Sequence, residues 1–389
     1  FNIELGLYMK LIYLIAGTYN SGGMERVLAN KSNYLVSHGH EVIIVTTDQR
    51  GQQPFFPLDK RIACYDLGIN YEENNGKSFF NKVIHYPFKQ WRHRKNLSKL
   101  LKRLAADVVV SMFCNDASIL PQITDGSKKV LEVHFSRFKR LQYGRKGLWK
   151  LADKWRNTND IRVVSRFDRF VVLTQEDQTY WGNLPNIQVI PNARTFAFEK
   201  PVELTNKVVM AVGRYDYQKG FERLIDAWAK VCSKVDDWTL EIIGDGDLRP
   251  KMLQQIEEKG LSSRVILKKL PADRMKDAYT NASIFALSSR FEGLPMVLLE
   301  AQAAGIPIVS FACKCGPKDL VEEGVNGFLL EEGDMDGLAK RLICLMENDE
   351  LRKKMGEAAY RNSEHYAEDA IMKQWLDLFQ ELSNKGTDK

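Results

Sequence analysis

Ser288-Ser289-Arg290-Phe291-Glu292-Gly293-Leu294-Pro295-Met296-Val297-Leu298-Leu299-Glu300-Ala301 decides how this chain folds. The apolar run 282–287 before it ends in small polar residues, a glycine loop follows, and Pro295 falls where the first position of a helix is expected. Gly305 then stops the helix, and residues 306–311 read as the next buried strand. Strand, loop, helix and strand make a βαβ unit whose loop lies at the carboxyl end of a strand, where open parallel sheets bind ligands. Glu292 lies in that loop and Glu300 in the second turn of the helix, so two carboxylates can face one crevice floored by a positive helix N-terminus. Such a crevice offers acceptors to sugar hydroxyls and a cradle to a pyrophosphate, which suits a sugar nucleotide.

The same grammar extends upstream. Strand 207–213 leads into Gly213-Arg214-Tyr215-Asp216-Tyr217-Gln218-Lys219-Gly220 and then helix 221–235. Two cations flanking a helix N-terminus suit a diphosphate, because dipole and fixed charges act on the same oxygens; a solvated surface turn is the plain alternative. Strands at 238–243 and 265–268, with helices at 248–259 and 273–280, complete the approach to the opening stretch. Beyond it, 317–323 and helices near 335–346, 350–362 and 367–384 close the chain, Trp375, Leu376 and Phe379 being spaced to face a core.

The first half repeats the pattern: strand 10–16, glycine loop 17–23, helix 25–37 and strand 40–47, with further strands near 61–67, 107–113, 129–134, 168–173 and 187–190. Around 191–203 the periodicity lapses into a proline-bounded linker. The reading is therefore α/β, with two Rossmann-like doubly wound domains at 9–192 and 204–366. A chain of 389 residues is long enough for two such cores.

Composition, 44% hydrophobic and 27% charged, is that of a folded globular protein. No run of eighteen apolar residues occurs, and the apolar stretch 11–16 is too short for a signal segment. Met9 is a candidate start, since Met9-Lys10 opens the first strand directly. The six cysteines are scattered, with only Cys313 and Cys315 close; no disulfide framework or zinc set emerges, and a reducing cytoplasm fits. Residues 1–200 carry 30 lysines and arginines against 18 acids, a net +12, whereas residues 201–389 carry 26 against 32, a net −6. The two halves are built for different partners.

Seven residues separate Glu292 from Glu300 within Phe-Glu-Gly-Leu-Pro-x-Val-x-Leu-Glu-Ala, which resembles the E-x7-E signature of the retaining family 4 glycosyltransferases of the GT-B fold. The resemblance covers residues 22–327 and implies two domains facing a central cleft, a nucleotide-sugar donor on the second domain and an acceptor on the first. It implies a terminal helix, 367–384 here, that packs back on the first domain. In similar transferases the Arg and Lys of G-R-x-x-x-x-K-G hold the donor phosphates, which points to Gly213, Arg214 and Lys219. By the same resemblance Glu300 holds the ribose, Glu292 the hexose, and Gly293, Leu294 and Pro295 line the diphosphate cradle. Asn20-Ser21-Gly22-Gly23-Met24-Glu25-Arg26 resembles the family's S-G-G-x-E-R loop, which places Gly22 and Gly23 across the cleft from Glu292. His134 matches a cleft histidine near the donor sugar, although a satisfied histidine at a strand end is the plainer reading. Gly244 is expected to leave room for the nucleotide, with Lys268 and Leu270 at the base.

Three further signals are softer. Asp245-Gly246-Asp247 fits the metal-binding D-x-D of other transferases but is also ordinary turn chemistry, and no metal is assigned. Gly316-Pro317-Lys318-Asp319 resembles a segment of transferases that build capsule and lipopolysaccharide. Residues 77–103 hold nine Lys/Arg and no acid, interleaved with Phe79, Phe80, Tyr86, Phe88 and Trp91, which suits an anionic membrane surface or, more plainly, a solvated helix face. No nucleic-acid signature is present.

The resemblance, with no metal set legible in the sequence, implies a retaining, metal-independent transferase with no cofactor. Its donor would be a UDP-linked hexose or N-acetylhexosamine, and its acceptor lipid-linked or glycan, at the cytoplasmic membrane face. A sugar-nucleotide 2-epimerase on the same scaffold, or a membrane- or RNA-binding module with a dead site, are the alternatives.

Overall fold

Thirteen short strands rich in valine, isoleucine and leucine, each followed by a loop and most by a helix, leave the chain little choice but parallel sheets. The computed structural model, which describes residues 8–74, 79–137 and 158–384, contains two. The first holds β1 (Lys10–Ile15), β2 (Glu41–Thr46), β3 (Ala63–Asp66), β4 (Val108–Ser111), β5 (Lys128–Glu132), β6 (Arg169–Val172) and β7 (Ile187–Val189) in the order β3-β2-β1-β4-β5-β6-β7. The second holds β8 (Val208–Val212), β9 (Thr239–Ile243), β10 (Val265–Lys268), β11 (Ile284–Leu287), β12 (Ile308–Phe311) and β13 (Gly327–Leu330) in the order β10-β9-β8-β11-β12-β13. Every pairing is parallel, in the doubly wound arrangement the sequence suggests.

In each sheet the strand order reverses once, between β1 and β4 and between β8 and β11. At such a switch point adjacent loops diverge and leave a crevice. The loops after β5, β6, β11 and β12 touch one another, so the carboxyl edges of the two sheets face each other across a cleft.

Each sheet is covered by apolar clusters on both faces. The last helix, Glu368–Asn384, belongs to the core of the first sheet: Ile371, Met372, Trp375, Leu378, Phe379 and Leu382 pack with Met9, Leu11, Leu28 and Leu35. Their spacing of three and four residues puts all six on one helical stripe.

Some local readings change. Helix Met296–Ala303 is capped by Pro295 instead of beginning with it, and the segment after Gly316 is helical only over Pro317–Leu320, because Val321 is extended. β13 carries no period-two alternation, which is why the sequence did not announce it.

The basic segment forms one long helix, Phe79–Leu104, with Pro87 inside it. Residues 77 and 78 lie outside the described residues, as do the side chains of Phe79 and Phe80. His93, Leu97, Leu100 and Leu101 are buried beneath the helix, while Tyr86, Phe88 and Trp91 are about half exposed beside exposed Arg92, Arg94, Lys95 and Lys99. Lys95 lies over the Trp91 ring. Lys89 departs from this face, its ammonium reaching the Asn70 carbonyl and Glu73. No described helix is long and apolar enough to cross a membrane.

Trp375 is a fully buried ring that ties the end of the chain to the first sheet. Trp375→Ala is expected to lower the unfolding free energy of that unit by about 3–5 kcal/mol. Chemical denaturation checks this, and a loss under about 1 kcal/mol would mean that the helix docks without that ring.

Candidate functional site

The β8–β11 switch point gathers the residues around Glu292. Ser288 Oγ donates to the Lys219 carbonyl at 2.9 Å and Arg290 N–H to the Gln218 carbonyl at 2.8 Å, which lashes the two loops together. Glu292 is 5% exposed. It accepts from Lys219 Nζ at 2.7 Å and from Ser289 Oγ at 2.6 Å, while the Lys219 stem lies against the bare Cα of Gly213. A buried carboxylate needs such a cation, because removing an ion from water costs several kcal/mol. Arg214 is placed differently from the expectation that it shares oxygens with Lys219: its guanidinium is 75% exposed and 3.3 Å from Asp216. Arg290, which sequence reading passed over, stacks 3.9 Å from the Tyr217 ring and pairs with Glu222.

Glu300 lies in the same crevice, one helical stretch further on, and is 3% exposed. Tyr279 Oη donates to its Oε2 at 2.8 Å, and Arg26 Nη1 donates to its Oε1 at 3.2 Å. Burial pushes the Glu300 carboxyl above its ordinary value, with Arg26 and Tyr279 opposing. Arg26 belongs to the helix Gly23–Ser37 of the first unit, so this ion pair crosses the cleft. Arg26 and Tyr279 were also missed. The S-G-G-x-E-R pattern was the available signal for the first; for the second there was none, since an isolated tyrosine on a short helix looks like core.

Gly22 caps that helix and Gly23 opens it, with nothing within 4 Å of where a Cβ on Gly23 would stand. Across from it, Gly293 packs directly on the backbone of the first unit. A Cβ there would sit 2.8 Å from the His134 carbonyl oxygen and 3.2 Å from Phe135 Cα, too near for any side chain. Leu294 is buried in the core under the helix, and Pro295 packs on Gly316. His134 is therefore brought to the Glu292 loop, with its ring 3.0 Å from Glu132.

Two expectations shift. Gly244 makes room for backbone and not for a ligand, because a Cβ there would collide with the Gly213 carbonyl oxygen. Lys268 is engaged by Glu241 at 2.5 Å, while Leu270 packs partly buried near Tyr279. Asp245 pairs with Lys269 at 2.6 Å, which with the Gly246 amide holds its carboxyl below the usual range. Among the described residues no group of three or more His, Cys, Asp or Glu is placed to hold a metal ion. Cys313 and Cys315 are buried and burial pushes both thiols up; Cys315 N–H donates to Glu176 of the first unit at 3.0 Å.

A family model described as "Glycosyl transferases group 1" matches residues 193–362, and one described as "Glycosyltransferase Family 4" matches residues 21–194. The chain is 30% identical over 376 residues to an uncharacterized glycosyltransferase of Haemophilus influenzae, covering 94% of this chain and 98% of that one. It is 35% identical over 343 residues to the lipopolysaccharide 1,6-galactosyltransferase of Salmonella typhimurium, covering 86% and 89%. Among solved structures, Anabaena HepE in complex with UDP-glucose superposes with a TM-score of 0.72 at 18% identity, covering 96% of this chain and 100% of that one.

Lys219 is the only described cation within ion-pair distance of Glu292. Lys219→Met should cost about 3–5 kcal/mol in unfolding free energy by stranding that carboxylate, and adding Glu292→Gln should return most of it. A single variant as stable as the parent would show that the pair carries no weight in the fold.

Proposed function

Because the chain belongs to the group 1 and family 4 glycosyltransferases, we propose that it is a retaining hexosyl- or N-acetylhexosaminyltransferase. Its donor is UDP-linked, and its acceptor is a lipid-borne or glycan chain at the cytoplasmic membrane face. The observation that carries this reading is the buried Lys219–Glu292 pair at the β8–β11 switch point, set against Gly293 and His134 where the two units meet. The UDP-glucose bound by HepE and the lipopolysaccharide named for the Salmonella relative favour a uridine donor and a glycolipid acceptor.

In this reading the donor diphosphate lies over Gly213, Gly293, Leu294 and the amides that follow Pro295. Lys219 can serve it without abandoning Glu292, because an ammonium has three N–H donors. Arg214, exposed on its loop, swings in as the second cation. Glu300 takes the ribose hydroxyls, Glu292 and His134 hold the hexose, and Leu270 and the Lys268 backbone bound the base. The Gly22–Gly23 loop lies over the sugar from the other side. The acceptor hydroxyl oxygen attacks the anomeric carbon on the face from which the phosphate oxygen leaves. As the new C–O bond forms and the old one breaks, the hydroxyl proton passes to the departing phosphate. No protein nucleophile is needed, and fixed cations stabilise the growing negative charge.

UDP-hexose turnover should therefore survive EDTA, and Glu300→Gln should weaken UDP binding by roughly 1.5–3 kcal/mol, the worth of hydrogen bonds to a charged group. Calorimetric titration reads the second; an affinity unchanged within twofold would remove Glu300 from the nucleotide site. Release of free nucleotide with an altered sugar and no need of an acceptor would instead mark a 2-epimerase.

The exposed aromatic and basic face of helix Phe79–Leu104 supports the membrane part of the proposal. Each basic residue near an anionic surface contributes about 1 kcal/mol, screened over about 8 Å at physiological salt. Vesicle binding should need anionic lipid, fall with salt and be lost when Arg92, Arg94 and Lys95 become Glu, with UDP-hexose hydrolysis unchanged. Equal sedimentation with neutral and anionic vesicles would leave this face as a solvated surface.

A further inference from the structure

Beneath the first unit's side of the cleft lies a charged line that the proposed reaction does not use. Glu132 ends β5 and is 1% exposed. Its Oε1 accepts a hydrogen bond from Lys31 Nζ at 2.6 Å, while its Oε2 has no hydrogen-bond partner among the described residues. His134 Nε2 lies 3.0 Å from the same Oε1, an ion-pair distance though off the line of the ring N–H. Lys31 comes from helix Gly23–Ser37 and is itself 5% exposed. Its ammonium sits 3.6 Å from the centre of the Trp375 ring, on the last helix, and 5.9 Å from that of Tyr13 on β1.

A fold does not require this arrangement. Burying two ions costs several kcal/mol each, and apolar side chains of similar volume commonly replace such pairs without loss. Burial alone would push the Glu132 carboxyl up, yet Lys31 first and His134 next override it and hold the group at about 2. Glu25, in the first turn of the same helix, has its carboxyl pushed up by burial. The Glu132 carboxylate thus lies beside the imidazole of a residue whose backbone packs against Gly293 of the second unit.

We propose that Lys31 and Glu132 are positioning residues for His134. Glu132 fixes the orientation of the imidazole toward the sugar, and Lys31 holds Glu132 in place, anchored through Trp375 to the last helix. This rests on the reading of His134 as a donor-sugar contact. It assigns the docking of the terminal helix a task in the active site as well as in the core, since the Trp375 ring covers the lysine that sets the histidine.

The test is the charge-balanced pair Lys31→Met/Glu132→Gln, assayed for UDP-hexose hydrolysis, UDP affinity and thermal unfolding. The expected result is a folded protein with kcat down by about 10–100-fold, the range found when the carboxylate orienting a metal-bound histidine is lost. UDP Kd should stay within about threefold. In a His134→Ala background the same pair should cost less than about twofold, because its effect passes through that ring. Should the pair fail to fold, Glu132→Asp keeps both charges, draws the carboxylate back by one methylene and should give the same split between kcat and Kd. A folded variant with parental turnover, or a full loss that persists in the His134→Ala background, overturns the inference alone. Parental turnover in His134→Ala itself overturns it together with the reading of His134.

Discussion

Two carboxylates removed from water set the terms for the rest of this molecule. Glu292 and Glu300 are both buried at the carboxyl edge of the second sheet, and each is met by a cation: Lys219 from the neighbouring loop and Arg26 from the opposite unit. An ion in the interior that loses its partner costs several kcal/mol, so these pairs fix where the loops after β8 and β11 can lie and how the first unit's glycine loop approaches them. The second pair is the more consequential. Because Arg26 spans the cleft, the charge state of Glu300 and the distance between the units are one problem, not two.

Backbone contact does the rest of the positioning. Gly293 meets the His134 carbonyl and Phe135 Cα at distances no side chain would tolerate, and Gly244 lies against the Gly213 carbonyl. The glycines of the second unit thus act partly by letting main chain touch main chain. The cross-cleft contacts of Cys315 with Ser136 and of Lys318 with Glu176 extend the same closure along the β5–β6 side.

The sheets, their order of appearance and the two switch-point loops were legible because parallel strands buried on both faces are continuous apolar runs bounded by glycine. Glu292, Lys219 and Glu300 were legible because each sits at a fixed offset from a strand end. What the sequence hid were partners brought in from afar. Arg26 reaches Glu300 across 274 positions, and Lys31 reaches Glu132 across 101. Lys31 in particular reads as a solvated helix lysine until Trp375 is seen to cover it. Gly244 was read as ligand space because local pattern cannot tell which neighbour, backbone or substrate, a missing Cβ makes room for. Arg214 shows the reverse: the motif points it at the phosphates, while its side chain extends into water beside Asp216.

The proposed reaction is substitution, within one cleft, on the face from which the phosphate leaves, with no covalent intermediate demanded of the protein and the anomeric configuration kept. Following UDP-α-hexose hydrolysis by proton NMR within the first minutes, before the free sugar mutarotates, tests it most directly. The first-formed hexose is expected to be the α-anomer; β-hexose as the initial product would rule out the retaining substitution.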